Sequence, residues 1–320
     1  MRISTVAALT FASLPAAPAL AQWSPERPIR VVLPFVAGSS YDSIMRMLAE
    51  PLGQSLKQQV VVDNRAGASG IIGADIAAKA AADGHTFALL GDNHLIFPAI
   101  GKVTPYDLFK DFAPIMRVAK LDNVVVSHFS LPAQTLKELI ALFKANPGKY
   151  KFGSGGTAGT THLAGERFAL MAGVNILHVP YKGGGTAMTG MLGNEVNMMI
   201  ANMVVIKPHV ESGRLRAYAV AANKRSDHLP GVPSTAEAGL PGLEVPQFYA
   251  LFAPARTPAR VLNRVEIELK KILTSQAFRA RVETQGADVV SSDPQELAAF
   301  LQKQLDGYRK TAQAAGIKAD

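Results

Sequence analysis

The stretch Ile29–Leu48, IRVVLPFVAGSSYDSIMRML, decides the fold. Its β-branched start, Ile29–Val32, reads as a buried strand, and Pro34–Ser40 is a break of mainly small residues. From Tyr41 onward, Ile44, Met47 and Leu48 fall at helical spacing. Such a strand–turn–helix unit points free backbone N–H groups out of the helix N-terminus, where the helix dipole also favours an anion. The competing reading is an ordinary βα turn with Ser39 or Ser40 as N-cap. Recurrence favours the binding reading: Tyr150–Met171, YKFGSGGTAGTTHLAGERFALM, is again a short strand, a Gly/Ser/Thr break and a helix.

Working outward, Gln59–Asp63 is a second strand, Asn64–Gly70 another small-residue break and Ile71–Ala82 an alanine-rich helix. The chain turns at Asp83-Gly84-His85 into a third strand, Thr86–Leu90. This βαβαβ rhythm of apolar strands predicts a parallel sheet covered on both faces, with ligands at the carboxyl ends of the strands. Asp107–Pro114 reads as a surface connection before strands at Ile115–Val118 and Val124–Ser127. A helix over Leu136–Lys144 starts at Thr135 and ends at Asn146-Pro147-Gly148. Strands at Ile176–Val179, Val196–Ile200 and Leu215–Ala221 then alternate with helices ending at Leu192 and covering Val204–Glu211. Residues 120–245 thus repeat the first alternation, giving two lobes of one architecture.

Beyond it, Glu244–Ala253 is extended and aromatic, and Pro258–Leu273 is a helix with Val261, Val265, Leu269 and Ile272 on one face. Phe278–Glu283 follows, then a small strand at Val289-Val290. Asp293 and Pro294 open a last helix, to Ala314, as N-cap and first residue. The expected division is residues 22–118 with 248–320 in one lobe and 119–247 in the other, hinged near 115–127 and 244–253.

Arg2, the apolar run Ile3–Leu14 and Ala19-Leu20-Ala21 form a secretory signal peptide with cleavage after Ala21. No later run is long enough to span a bilayer. The mature chain of about 300 residues suits two lobes rather than one core. With no cysteine there is no disulfide, thiol chemistry or thiolate metal site. The formal charge of +8 comes from scattered residues, not a basic cluster interleaved with aromatics. It argues against a nucleic-acid partner and mildly favours anionic small molecules.

A catalytic constellation is missing from the sequence. Ser154 and Ser69 lie in glycine-rich turns without the G-x-S-x-G elbow or an identifiable His/Asp partner. His162 and Glu166, one turn apart, lack the H-E-x-x-H pattern and a third ligand, so packing and capping outweigh a metal site. There is no phosphate-binding G-x-x-x-x-G-K-[ST] loop, and Gly183–Gly185 lacks a dinucleotide context. No cofactor is expected. The glycine-rich breaks read as binding loops, with backbone close to the ligand and hydroxyls as donors. Asp42, in the first turn of its helix, either compensates the dipole or orients a donor on the ligand.

The mature chain resembles, nearly end to end, the Bug receptors, periplasmic substrate-binding components of tripartite tricarboxylate transporters. The matching stretches are RPIRVVLPF…D (27–42), VVVDNRAGASGIIGADIAAKAAADGHT (60–86), DFAPI (111–115), HLAGE (162–166), HVPYKGG (178–184), LPGVPSTAEAGLPGLEV (229–245) and AAGIKAD (314–320). The resemblance implies two α/β lobes of the type II periplasmic binding class, with a ligand cleft between them. It implies that Gly38–Tyr41 and Ser154–Thr161 hold one ligand carboxylate, with Phe35, Gly38, Ser39, Ser40, Tyr41 and Asp42 at the first loop. Ser154, Gly156, Thr157, Ala158, Gly159 and Thr160 form the second loop, and Tyr181, Gly184, Thr186 and Asn202 meet the rest of the ligand.

The first loop is poorer in Pro and Gly than is usual for the family. Ala158, Phe97, Gly190 and Asn197 also depart from it, so ligand identity does not carry over. Family ligands are di- and tricarboxylates, acidic amino acids, and aromatic acids with related pyridine compounds. The expected protein is a monomeric periplasmic receptor delivering a small carboxylate to transporter membrane subunits. A ligand-sensing receptor for a signalling partner, and a hydrolase using Ser154 or Ser69, are the alternatives.

Overall fold

The computed structural model describes residues 23–157, 159–314 and 316–318, so the signal peptide lies outside the described residues. Strand β1 (Ile29–Leu33) forms where expected and is almost wholly buried. It runs parallel between β2 (Val60–Asn64) and β3 (Thr86–Gly91). Helix α1 (Ser40–Leu56) returns over one face, where Ile44 and Leu48 are fully covered. Burying one such side chain contributes about 1.5–3 kcal/mol. Helix α2 (Ile71–Ala78) covers the other face through Ala74 and Ala77 and is one turn shorter than expected.

The sheet is not parallel throughout. Short α3 (Asn93–Ala99) leads to the ten-residue β4 (Phe112–Leu121), which carries the chain into the second lobe. The expected surface connection therefore already contains strand: Phe112 is buried edge-to-face against Phe252. The chain returns as β10 (Gln247–Pro254), entering from the end by which it left, and pairs antiparallel with both β3 and β4. Small β11 (Ala287–Val289) completes the order β11-β4-β10-β3-β1-β2. Helices α8 (Ala259–Thr274) and α9 (Gln276–Glu283) join α1 on one face. The last helix, α10 (Pro294–Ala314), lays Leu297, Leu301 and Leu305 on the other. Asp293 caps α10 in a reciprocal box with Glu296.

The second lobe repeats the plan. Strand β5 (Asn123–His128) arrives from the first lobe, and α4 (Leu136–Lys144) leads to β6 (Lys151–Ser154). Helix α5 (Thr160–Ala172), β7 (Leu177–Pro180), α6 (Gly184–Leu192), β8 (Met198–Asn202), α7 (Met203–Glu211) and β9 (Leu215–Val220) follow. The order is β7-β6-β8-β5-β9, with β6 parallel to β7 and β8, and β5 antiparallel to β8 and β9. In each lobe a strand that comes across from the other, β10 in the first and β5 in the second, runs antiparallel to its neighbours.

The two crossings are stitched together at Asn123. Its carbonyl accepts from Ala221 N at 2.7 Å, and its Nδ2 donates to Val245 O at 2.8 Å. The expected 118/119 boundary falls inside β4, and the chain changes sheets at Asp122. Among the described residues no helix is long and apolar enough to cross a membrane.

Candidate functional site

Both small-residue breaks lie between the lobes. After β1 the chain turns at Gly38 (φ +78°), and Ser39 caps α1, its Oγ accepting from Asp42 N at 3.3 Å. The N-cap reading of Ser39 and the anion reading are therefore compatible. Asp42 accepts from Gly38 N at 3.0 Å and from Arg46 Nε at 2.9 Å, so its carboxylate holds the loop together. Burial opposes its charge, but Arg46, the Gly38 amide and Asn64 outweigh it and keep its pKa below the usual aspartate value. Among the described residues, no partner takes the amides of Ser40 and Tyr41.

Tyr41 is held as a rigid wall. Its ring lies between Phe35, at 4.1 Å between centroids, and Tyr249, at 3.8 Å. Gly91 makes this possible, because a Cβ there would sit 2.3 Å from the Tyr41 hydroxyl. Ser40 is a junction: its Oγ lies 2.5 Å from the Tyr249 hydroxyl and accepts from Asn202 Nδ2, across the cleft, at 2.9 Å.

In the second lobe β6 ends at Ser154, and Gly155-Gly156-Thr157 leads toward α5. A Cβ on Gly155 would lie 3.0 Å from Gly184 N, so the second loop and the start of α6 touch backbone to backbone. Asn93 of the first lobe reaches across, its Oδ1 accepting from Thr160 N at 3.0 Å and Thr160 Oγ1 at 2.7 Å. Ser69 Oγ donates to Thr157 O at 3.1 Å. With Ser40–Asn202, these bonds latch the lobes in a closed arrangement.

The cleft has two chambers. The inner, about 80 Å³, is lined by Phe35, Ser39, Ser40, Tyr41, Gly159, Thr160, Gly184 and Asn202 of the expected residues. The outer, about 540 Å³, opens past Phe35, Ser39, Gly156, Tyr181 and Gly184. Phe35, Ser39, Gly155 and Gly184 line both, so the two adjoin. Gly38, Asp42, Ser154, Thr157 and Thr186 lie off both walls, and Ala158 lies outside the described residues.

Thr186 Oγ1 donates to Gly183 O, within the first turn of α6. Two of the family departures also have local roles: Gly190 makes room for the Tyr181 ring, and Asn197 Oδ1 accepts from Lys151 N at 2.9 Å. Thr161, the last residue of the expected second loop, also lines the inner chamber, and wall residues missed in the sequence include Asn93, Val205 and Gln247, and the Ala66–Gly70 break at the end of β2. That last break carried the small-residue signal of the other two loops. Lys182 is the one charged side chain among the described residues lining the chambers.

Ser154 has a histidine partner that the sequence did not reveal. Its Oγ lies 2.6 Å from His178 Nε2, and the His178 ring stacks on His162 at 3.9 Å. His162 in turn faces Glu166 at 3.4 Å, so HLAGE and HVPYKGG meet in one stack. Burial, with His162 beside it, lowers the His178 pKa to about 4 and keeps its ring neutral. Ser154 is 0% exposed, and its Oγ also takes the Gly156 amide at 3.2 Å. Among the described residues there is no group of three or more His, Cys, Asp or Glu that could hold a metal.

The family described as tripartite tricarboxylate transporter family receptor matches residues 44–317. The chain is similar to the protein BugT of Bordetella pertussis, 35% identical over 305 residues, or 95% of this chain and 94% of that protein. The solved structure of the periplasmic binding protein BugD aligns with a TM-score of 0.88 and 32% identity, over 92% of this chain and 100% of that one. That of R. palustris Rpa4515 with adipate gives 0.88 and 31%, over 92% and 99%. The expected two-lobed α/β fold is thus that of periplasmic binding proteins.

Proposed function

This chain belongs to the tripartite tricarboxylate transporter receptor family, and from that premise we propose that it captures a small carboxylate between its lobes. The observation that carries the ligand class is the chamber at the start of α1. Among the described residues the amides of Ser40 and Tyr41 are unclaimed there and no acidic side chain lines the walls, and Lys182 flanks the outer space. A helix N-terminus with unpaired amides in a site poor in counter-charge favours an anion. The ligand carboxylate rests on those amides, and its remainder extends past Phe35 and Tyr181 into the outer chamber. The adipate bound by the R. palustris relative is a dicarboxylate of this kind.

The receptor works as a periplasmic monomer that hands its ligand to the membrane subunits of the transporter. Nothing is turned over. The Ser154–His178 pair favours a hydrolase at first sight, but it is sealed from both chambers and serves to brace the second loop. Native mass spectrometry of the purified protein tests this: the adduct released should be an organic acid, chemically unchanged after prolonged incubation. A neutral adduct, or turnover that disappears in Ser154→Ala, would overturn the reading. Export is tested separately. N-terminal peptide mapping of the periplasmic fraction should find Gln22 first, and a chain retained in the cytoplasm and still starting at Met1 would refute it.

A further inference from the structure

The wall of the inner chamber contains a buried acceptor with nothing to accept. Gln247 opens β10, the strand returning between the lobes, and its backbone is fixed opposite Leu121 of β4. Its side chain is only 7% exposed, yet Oε1 is buried without a hydrogen-bond partner. A buried polar atom left in that state is costly, and each one in a folded protein calls for an explanation.

The side-chain donors on the same wall are engaged elsewhere, each side-chain amide through one of its two N–H groups. Asn202 Nδ2 goes to Ser40 Oγ, Thr160 Oγ1 to Asn93 Oδ1, and Asn93 Nδ2 to Ser69 O. The Tyr41 hydroxyl, also unpartnered, is packed against Gly91. No donor among the described residues reaches Oε1, which leaves it open to a donor from a bound ligand. Size narrows the source: a cavity of about 150 Å³ admits benzene, and this chamber is about 80 Å³. It takes a carboxylate, its α-carbon and one small substituent, while the rest of the ligand occupies the outer chamber.

We propose that Gln247 is a specificity residue that selects carboxylates bearing a donor on the α-carbon, 2-hydroxy or 2-amino acids over the plain acids. This rests on the carboxylate reading of the same cleft. With a donor on the α-carbon, Oε1 is satisfied once the carboxylate sits on the α1 amides. A plain acid leaves Oε1 orphaned, and the complex is weaker by that unmade bond.

Titration calorimetry on ligand-stripped protein with matched probes tests this: malate against succinate, 2-hydroxyglutarate against glutarate, and lactate against propionate. In each pair that binds, the hydroxy acid should bind about tenfold more tightly. Gln247→Leu should bring the ratio to within about twofold, chiefly by weakening the hydroxy acid. Gln247→Glu keeps an acceptor, adds charge, and should move preference toward aspartate over malate. If Gln247→Leu does not fold, the Gln247→Glu shift decides, and its absence overturns the proposal. Binding without preference, as when a water satisfies Gln247, overturns it too, as does a preference that survives Gln247→Leu; the carboxylate reading stands in both cases. If no acid binds while a neutral compound does, the carboxylate reading fails and takes this proposal with it.

Discussion

Ser40→Asp should weaken carboxylate binding about ten- to a thousandfold, whereas Ser40→Asn should leave it within a few-fold, because only the first puts a charge where the ligand's belongs. The site should accept the aspartate. Asn202 Nδ2 and the Tyr249 hydroxyl already meet Ser40 Oγ and can both donate to a carboxylate, and the α1 N-terminus favours it. The folded protein therefore survives with its anion site filled from within. One charge-assisted hydrogen bond contributes about 1.5–3 kcal/mol, and losing one or two gives the stated range. Replacing the ligand's carboxylate by its amide should cost a similar amount in the unaltered protein. The two losses should not add, since both remove one interaction. Calorimetry on acid and amide with each protein measures all four combinations. An amide that binds the unaltered protein as well as the acid would sink the anion site, leaving the loops to hold a neutral ligand.

How far the sequence leads depends on which interactions are local. The β1 turn and α1 are local: Ser39 caps three residues ahead, Gly38 turns, and Ile44 and Leu48 fall on the buried face. Each was legible as spacing. The second loop and the two-lobe repeat followed for the same reason. By contrast, the direction of β10 depends on where the chain re-enters after more than a hundred residues, and a strand buried on both faces reads alike in either direction.

The site divides in the same way. Residues on the glycine-rich turns were found, because backbone amides need only a turn and a helix. Asn93 and Gln247 were missed. Asn93 lies in a seven-residue helix buried nearly all round, which shows no face, and Gln247 sits in an aromatic strand that reads as core. The Ser154–His178 bond joins residues 24 apart on neighbouring parallel strands, a register that spacing alone does not supply.

Asp92→Asn should stabilise the ligand-free protein by up to about 4 kcal/mol at pH 8 and by almost nothing at pH 4, reversing the usual cost of altering a buried group. Asp92 is 1% exposed at the start of α3, where it accepts from Phe248 N at 3.0 Å and from the Tyr308 hydroxyl at 2.5 Å. Burial raises its pKa to about 7, against the pull of those two donors and its own amide, from 3.8 in the unfolded chain. Between these values the folded state binds more protons than the unfolded one, so this group's contribution is fully present below pH 4. It is lost as the pH rises to about 7 and changes little beyond.

Asparagine keeps the geometry, since Oδ1 can accept from Phe248 N and Nδ2 can donate to the Tyr308 oxygen, and it carries no proton to lose. Other groups act with the opposite sign, the histidines over this range and the paired carboxylates below it. Burial holds His94 and His178 neutral, so they oppose folding as the pH falls, and Asp42 and Asp288 stabilise only when charged. The test is therefore the difference between the two proteins, by urea unfolding from pH 4 to pH 8. That difference should grow with pH and level off above about 7. A constant difference would mean that Asp92 keeps one protonation state throughout, and that its two donors hold a charge which burial fails to expel.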